Sequence, residues 1–306
     1  MPRAPNVNPK EVFSDTEWAA LQTRSNFKSL GMVAHAWGVI ALAFMVHAIW
    51  PNPFTWLLAV MIIGTRQLGL AILMHEAAHG GLHTNQKINE WVGQWLCAAP
   101  LALDLNTYRP YHLNHHKYTQ QPEDPDLGLV PDYPITRASF ERKIIRDLTG
   151  QTFYQKRIKP LFGNAGGFAG NAIEATFLRA AMANFVIWLV LMAFGQGWAF
   201  VTIWLLTQAT WFMMVTRIRN IGEHAAATND INDPWQLART IKANWLERAF
   251  IAPYHVHFHS EHHLWMHIPC YNLCSTHLKL QNKNLTQRME IRNSYLEMLK
   301  ITTGKA

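Results

Sequence analysis

Eight histidines fall into three short runs that could do metal chemistry: His75-Glu-Ala-Ala-His79, His112-Leu-Asn-His115-His116 and His259-Ser-Glu-His262-His263. Neutral imidazole is the commonest metal ligand. In a helix, residues i, i+3 and i+4 share a face, so each H-x-x-H-H run would present its rings together. A single zinc takes three or four protein ligands, and this set exceeds that. The runs read as a site for more than one metal ion.

The elements that position them follow from hydropathy. The chain has 306 residues, a net charge of +7 and a mean hydropathy of −0.05, an average that hides alternating apolar and polar stretches. A helix needs about 20 apolar residues to cross a bilayer. Four stretches qualify, at about 31–50, 54–74, 177–194 and 198–217. Pro51-Asn-Pro53 joins the first pair and Gly195-Gln-Gly197 the second, each short enough for a tight helical hairpin. Neither connection contains Lys or Arg, while basic residues crowd 1–30, 75–176 and 218–306. By the positive-inside rule those three segments and both termini are cytoplasmic. The expected fold is an all-α integral membrane protein: four transmembrane helices in two hairpins, with a cytosolic helical catalytic cap from 75–176 and 218–306. Residues 1–30 form a polar arm with no apolar core of a signal peptide, and 31–306 form a single domain.

A helix over 54–83 would be about 45 Å long against a membrane core of about 30 Å. The second helix therefore emerges into the cytosol carrying His75 and His79. The fourth can do likewise, offering Asn220 and His224 as an i, i+4 pair at similar height. The stretch 91–105 is too short to span and is expected as a re-entrant or interfacial helix. Apolar residues in 285–301 recur at helical spacing and predict a helix packed on the cap.

Other function classes fit less well. The positive charge lacks a basic stripe with interleaved aromatics, which argues against nucleic acid, and 13 Trp with 15 Phe suit membrane-interface belts. Three cysteines without a C-x-x-C pair predict no disulfide framework and a reducing compartment. His75-Glu76-Ala-Ala-His79 is also the zinc-protease signature, with Glu76 as general base. That reading leaves the two H-x-x-H-H runs without a role, so Glu76 is expected to orient a histidine instead. A metal transporter would line a path with ionisable groups, yet Arg66 is the sole charged residue deep in a span.

The order H-x-x-x-H, H-x-x-H-H, N-x-x-x-H, H-x-x-H-H on two hairpins resembles the membrane fatty acid desaturase family. The second run continues to Lys117-Tyr-Thr119 and is followed by Asp124-Pro-Asp126; the third leads into Leu264-Trp-Met-His-Ile-Pro269. Both continuations are similar to the family's pattern, and the resemblance covers residues 30–280. It implies two iron ions held by His75, His79, His112, His115, His116, Asn220, His224, His259, His262 and His263, with Asn220 acting through its amide or a water. It implies dioxygen as co-substrate and a double bond introduced into a fatty acyl chain of a lipid or thioester. Hydroxylation or ketolation of a lipid or carotenoid is the alternative outcome. Removing hydrogen from an unactivated C–H bond needs an oxidant that no side chain supplies. Iron itself rests on the resemblance, because raw affinity would not select it over zinc or copper.

No His-Pro-Gly-Gly haem-binding run, flavin fingerprint or iron–sulfur cysteine set occurs, so electrons are expected from a separate ferredoxin- or cytochrome-type donor. Arg137, Arg142, Lys143, Arg146, Lys156, Arg157 and Lys159 are expected to face anionic headgroups or that donor. Among the remaining residues, His35 and His47 are expected to pack or sit at an interface, and His83 to be structural. His255 and His257 should flank the third run, while His267 and His277 take no metal role. Asp124 and Asp126 either accept from ligating imidazoles or form the turn around Pro125. Arg66 and Gln67 should face helices or substrate rather than lipid.

Overall fold

Two serines launch the first helices. Ser14 forms a capping box with Glu17 to start α1 (Asp15–Gln22), and Ser25 caps α2 (Asn26–Ile49). Asn52 then accepts hydrogen bonds from the backbone of Phe54 and Thr55, both at 3.0 Å, with Pro53 in the first turn where its missing N–H costs nothing. This starts α3 (Pro53–Ala78), buried at almost every residue from Ile63 onward. A helix apolar all round lies in a protein core or in a membrane, and α3 is held in by its neighbours. The computed structural model describes residues 4–129, 132–159, 170–227 and 230–304, with 170–174 as backbone alone. Parts of the expected cap, residues 130–131, 160–169 and 228–229, lie outside the described residues.

Beyond α3, α4 (Gln86–Trp91) runs into a π-helical turn, Val92–Ala98, and a 3-10 turn, Ala99–Leu101. This is the stretch expected to be re-entrant or interfacial, and it is a buried corner wedged against α3. Gly93 permits the approach: a Cβ there would lie 2.4 Å from Ala77 Cβ. Asp104 caps α5 (Leu105–Tyr118) through the backbone of Asn106 and Thr107 and pairs with Arg179. The peripheral helices α6 (Arg137–Leu148) and α7 (Gln151–Phe153) follow, and Asp147 of α6 is buried against Arg217. α8 (Gly170–Ala193) carries the third apolar stretch.

Among the described residues, three stretches are long and apolar enough to cross a membrane: Asp15–Ile49, Pro53–Ala78 and Ala175–Ala193. The expected fourth, 198–217, is helical but divided. A π-helical turn (Phe200–Leu205) leads into α9 (Leu206–Ala209), the chain breaks at Thr210 (φ −124°, ψ −85°), and α10 runs Trp211–His224. The Thr210 hydroxyl donates to Leu206 O at 2.7 Å, a bond that competes with the helical ladder and bends it. The break seats the junction on α3, where a Cβ on Gly64 would lie 2.7 Å from Trp211 Cδ1.

The C-terminal part adds two short parallel strands to a mainly helical protein: β1 (Arg239–Ile241) pairs with β2 (Glu290–Arg292) in register Arg239↔Glu290. The helix expected over 285–301 is therefore corrected. A 3-10 turn at Thr286–Arg288 leads into β2, and α14 (Tyr295–Thr302) begins only after Ser294 caps it. The backbone groups of β2 go to a strand partner, which apolar spacing alone did not signal. Between the strands lie α11 (Trp245–Phe250), α12 (His259–Leu264) and α13 (Leu273–Asn282).

Candidate metal centre

Four helices bring their histidines to one place. His75 lies in the last turn of α3 and His79 caps its end; α5 carries His112, His115 and His116. His224 is the last residue of α10, and α12 carries His259, His262 and His263. The nine rings sort into two groups: His75, His79, His112, His116 and His262, and His115, His224, His259 and His263. Within each group the candidate donor atoms lie within 4.8 Å of one another.

The two H-x-x-H-H runs are split by helix geometry. At about 100° per residue, i and i+4 lie roughly 40° apart while i+3 falls on their other side. His112 and His116 accordingly enter the five-histidine group and His115 the other. In the third run the roles swap: His259 and His263 enter the four-histidine group and His262 the five. Each run therefore feeds both groups.

Nε2 atoms face inward. In the first group His112 Nε2 lies 2.9 Å from that of His79 and 3.0 Å from that of His116, which is 3.0 Å from His262 Nε2. In the second, His224 Nε2 lies 2.9 Å from His259 and 3.2 Å from His115, and His263 lies 3.1 Å from His259. Burial, reinforced by neighbouring rings, holds His112, His116, His224, His259, His262 and His263 well below the ordinary imidazole value, and burial chiefly holds His79 down to about 3. These rings are neutral, the form that ligates. Inward lone pairs at such distances repel one another unless a cation shares them, and His75 Nε2 is buried without a hydrogen-bond partner. A metal about 2.0–2.1 Å from each nitrogen would separate adjacent donors by roughly 3.0–3.4 Å. The donor set fits a metal in each group.

Inward Nε2 atoms leave Nδ1–H to be fixed from outside, and this orientation is inferred from the hydrogen-bond network. His115 Nδ1 donates to Asp124 at 2.7 Å, while Asp124 also accepts the backbone N–H of Gln120 and Asp126, each at 2.9 Å. Asp124 thus forms the turn around Pro125 and orients the ring, and Asp126 Oδ2 stands 3.7 Å from the same nitrogen. His224 Nδ1 donates to Leu237 O at 3.2 Å, and His263 Nδ1 to the Thr119 hydroxyl at 3.2 Å.

Glu223 and Arg109 matter here although no sequence run marked them. Glu223 stands 3.5 Å from His259 Nε2 and pairs with Arg219; burial pushes its carboxyl up to about 8. The i, i+4 spacing of Arg219 and Glu223 was the available signal. Arg109 donates to Ala78 O at 3.0 Å and Ala77 O at 3.1 Å, holding the end of α3 beneath His79.

Glu76 corrects an expectation. Its Oε1 accepts from the backbone N–H of Cys270 at 3.2 Å rather than from an imidazole, so it anchors the loop after α12. Asn220 lines a small cavity with Asp126, Leu129, Glu223 and His224, and its Oδ1 accepts from Arg219 at 3.3 Å. His35, His47, His83, His255, His257, His267 and His277 join neither group. His47 bonds Thr55 at 3.0 Å in the first hairpin, His83 accepts from Asn85 N at 2.9 Å, and His277 bonds Glu261 at 2.5 Å. Arg66 and Gln67 face protein, donating to Ala249 O at 2.7 Å and Trp204 O at 3.1 Å.

A family model described as fatty acid desaturase matches residues 51–293. This chain belongs to the fatty acid desaturase family. Like the family it is an oxidoreductase, with helices long enough to cross a membrane and histidine groups able to hold metal. It is 29% identical over 254 residues to the dihydrorhizobitoxine desaturase of Bradyrhizobium elkanii, covering 78% of this chain and 70% of that one. It is 27% identical to the zeaxanthin 4-ketolase of Chlamydomonas reinhardtii, over 80% of this chain but 52% of the ketolase. A third relative is the sn-1 acyl-lipid omega-3 desaturase (ferredoxin) of Synechocystis sp., 24% identical over 81% of this desaturase-family chain and 71% of that enzyme.

Proposed function

We propose that this protein introduces a double bond into an acyl chain of a lipid or thioester, with dioxygen as co-substrate and one iron ion in each histidine group. His75, His79, His112, His116 and His262 would hold one iron, and His115, His224, His259 and His263 the other. Asn220 would complete the second through its amide or a water. When bound, the two irons would supply the oxidising chemistry that no side chain provides. The chain's own residues hold ligand nitrogens neutral, aim Nε2 inward and fix Nδ1 through Asp124, Leu237 O and Thr119, which sets the position of the oxidant relative to a substrate carbon. The observation that carries this reading is the pair of buried groups of inward-facing imidazoles within a desaturase-family chain.

The same reading places four membrane passes in two hairpins, the kinked α9–α10 run being the fourth, with both termini and the metal centre cytoplasmic. The uncharged connections and basic cap support that orientation. Electrons come from a separate ferredoxin- or cytochrome-type donor; the lipid desaturase relative named with ferredoxin supports that class. The ketolase relative supports oxygen insertion into a lipid or carotenoid as the alternative. Mass spectrometry of lipids and carotenoids from cells with and without the chain, beside iron analysis of the purified protein, tests both. New unsaturated acyl chains dependent on His224 support desaturation; a keto or hydroxy product replaces it; unchanged profiles with one bound zinc overturn it.

A further inference from the structure

A second cavity, of about 570 Å³, opens between α2, α3, α11 and the loop leading into α12. That volume lies in the range of small-ligand sites. His35 and Val39 of α2 and Ile62 and Arg66 of α3 line it, so it lies between two of the three helices apolar enough to cross a membrane. Its rim carries Trp245, 68% exposed, an aromatic suited to the lipid–water boundary.

Its charge is one-sided. Arg66 and Arg248 both line it, and no Asp or Glu does. Arg66 is only 7% exposed, and its charge is met by Ala249 O and the face of Tyr254, 5.7 Å from the ring centroid. Among the described residues, neither arginine forms an ion pair with a carboxylate. A buried cation at membrane depth is costly and is kept where it serves a ligand or a path.

The backbone is also strained towards this cavity. Tyr254 and His255, consecutive lining residues, both adopt left-handed conformations (φ 54° and 61°), which residues with a Cβ rarely occupy. Such strain persists where surrounding structure enforces it, typically at functional sites. Tyr254 OH meets His35 Nδ1 at 3.0 Å, and the Tyr254 ring lies where a Cβ on Gly69 would come within 2.6 Å of it. The wall continues to His257, two residues before His259. Along α3, Arg66 precedes His75 by nine residues, about 13 Å.

We propose that this cavity binds the head of the substrate, and that of the two acyl substrates named above it takes the lipid rather than the thioester: a single-chain amphiphile with an anionic oxygen head, carboxylate or phosphate monoester, entering from the bilayer. Arg66 and Arg248 are the anion partners, and Met32, Val39, Ile62 and Phe250 line the first part of the chain. A planar guanidinium pairs with two oxygens of either head. The use of this site in turnover rests on the desaturase reading above; the binding does not.

Trp245 supplies the readout. Bromine-labelled long-chain carboxylate, alkyl phosphate and alcohol of equal length are titrated into the holoprotein in zwitterionic nanodiscs. The quenching lost in Trp245→Phe reports the cavity. At least one anion should bind about tenfold tighter than the alcohol, a preference that R66Q/R248Q abolishes and that R66K/R248K, which keeps the charges and loses the forks, retains in part, with iron content unchanged. The tighter of the two anions identifies the head. Arg248 is exposed, so Arg248→Gln alone, expected to weaken that anion severalfold, keeps the test decisive should the double variant misfold. Equal binding of anion and alcohol, or anion binding indifferent to these arginines, overturns the assignment. Acyl desaturation that persists without head selectivity removes this inference and leaves the function standing. Selective binding in a protein that oxidises no lipid removes the function and leaves the site.

Discussion

The apolar spans of α3 and α8 have nearly the same mean hydropathy, 1.9 and 1.7, and opposite surroundings: 72% of the α3 span is buried in the protein and 11% of the α8 span. α3 is enclosed by α2, the π-helical corner and α10, and it carries Gly64, Arg66, Gln67 and His75 inside that enclosure. α8 turns Phe185, Val186 and Leu189 outward. Hydropathy measures what a helix can tolerate, and the polar and small residues it carries tell which helix is a spine. A glycine or glutamine in an apolar run costs stability unless a neighbour needs the space or the hydrogen bond.

Four substitutions test the contrast. His75→Ala should reduce turnover below detection and lower bound iron, because it removes a donor from the five-histidine group; normal turnover and iron would detach α3 from the centre. Val186→Arg, near the middle of α8, should disfavour membrane insertion by roughly 2.5–3.5 kcal/mol, read by glycosylation mapping. Unaffected insertion would mean that α8 faces water. Gly64→Ala should lower stability by about 1–3 kcal/mol by forcing Trp211 away from α3, seen in the thermal midpoint with iron retained. Val186→Ala should change stability by less than about 0.5 kcal/mol, since it empties no packed interior. A larger loss would point to a protein partner covering α8.

Much of the centre was legible in residue types alone. The H-x-x-H-H runs marked imidazoles that the structure gathers into two groups, and depth arithmetic put His224 within reach of them; Asn220 lines a small cavity beside His224. The division of donors was not legible, because i+3 and i+4 lie close enough to serve one site or two until neighbouring helices fix the rotation. Asp124 offered two roles in the sequence and performs both, through different oxygen lone pairs. Glu76 is expected from its place between two histidines to orient one of them, yet a backbone N–H from a loop far along the chain claims it. Thr210 and β2 escaped detection for a related reason. Both depend on hydrogen-bond partners chosen by tertiary structure, and apolar spacing carries no record of them.

Under the two-iron proposal, the crossing of donors, in which α5 and α12 each serve both histidine groups, would couple the occupancy of one group to that of the other. An ion held by His112 and His116 would fix the rotation of α5 and thereby place His115 for the second ion; one held by His259 and His263 would do the same for His262. An ordering cost met by the first ion would be spared the next, so the second would bind more tightly than the first. Half-filled molecules should be scarce at every iron concentration, and the protein should pass from empty to full as a single cooperative unit.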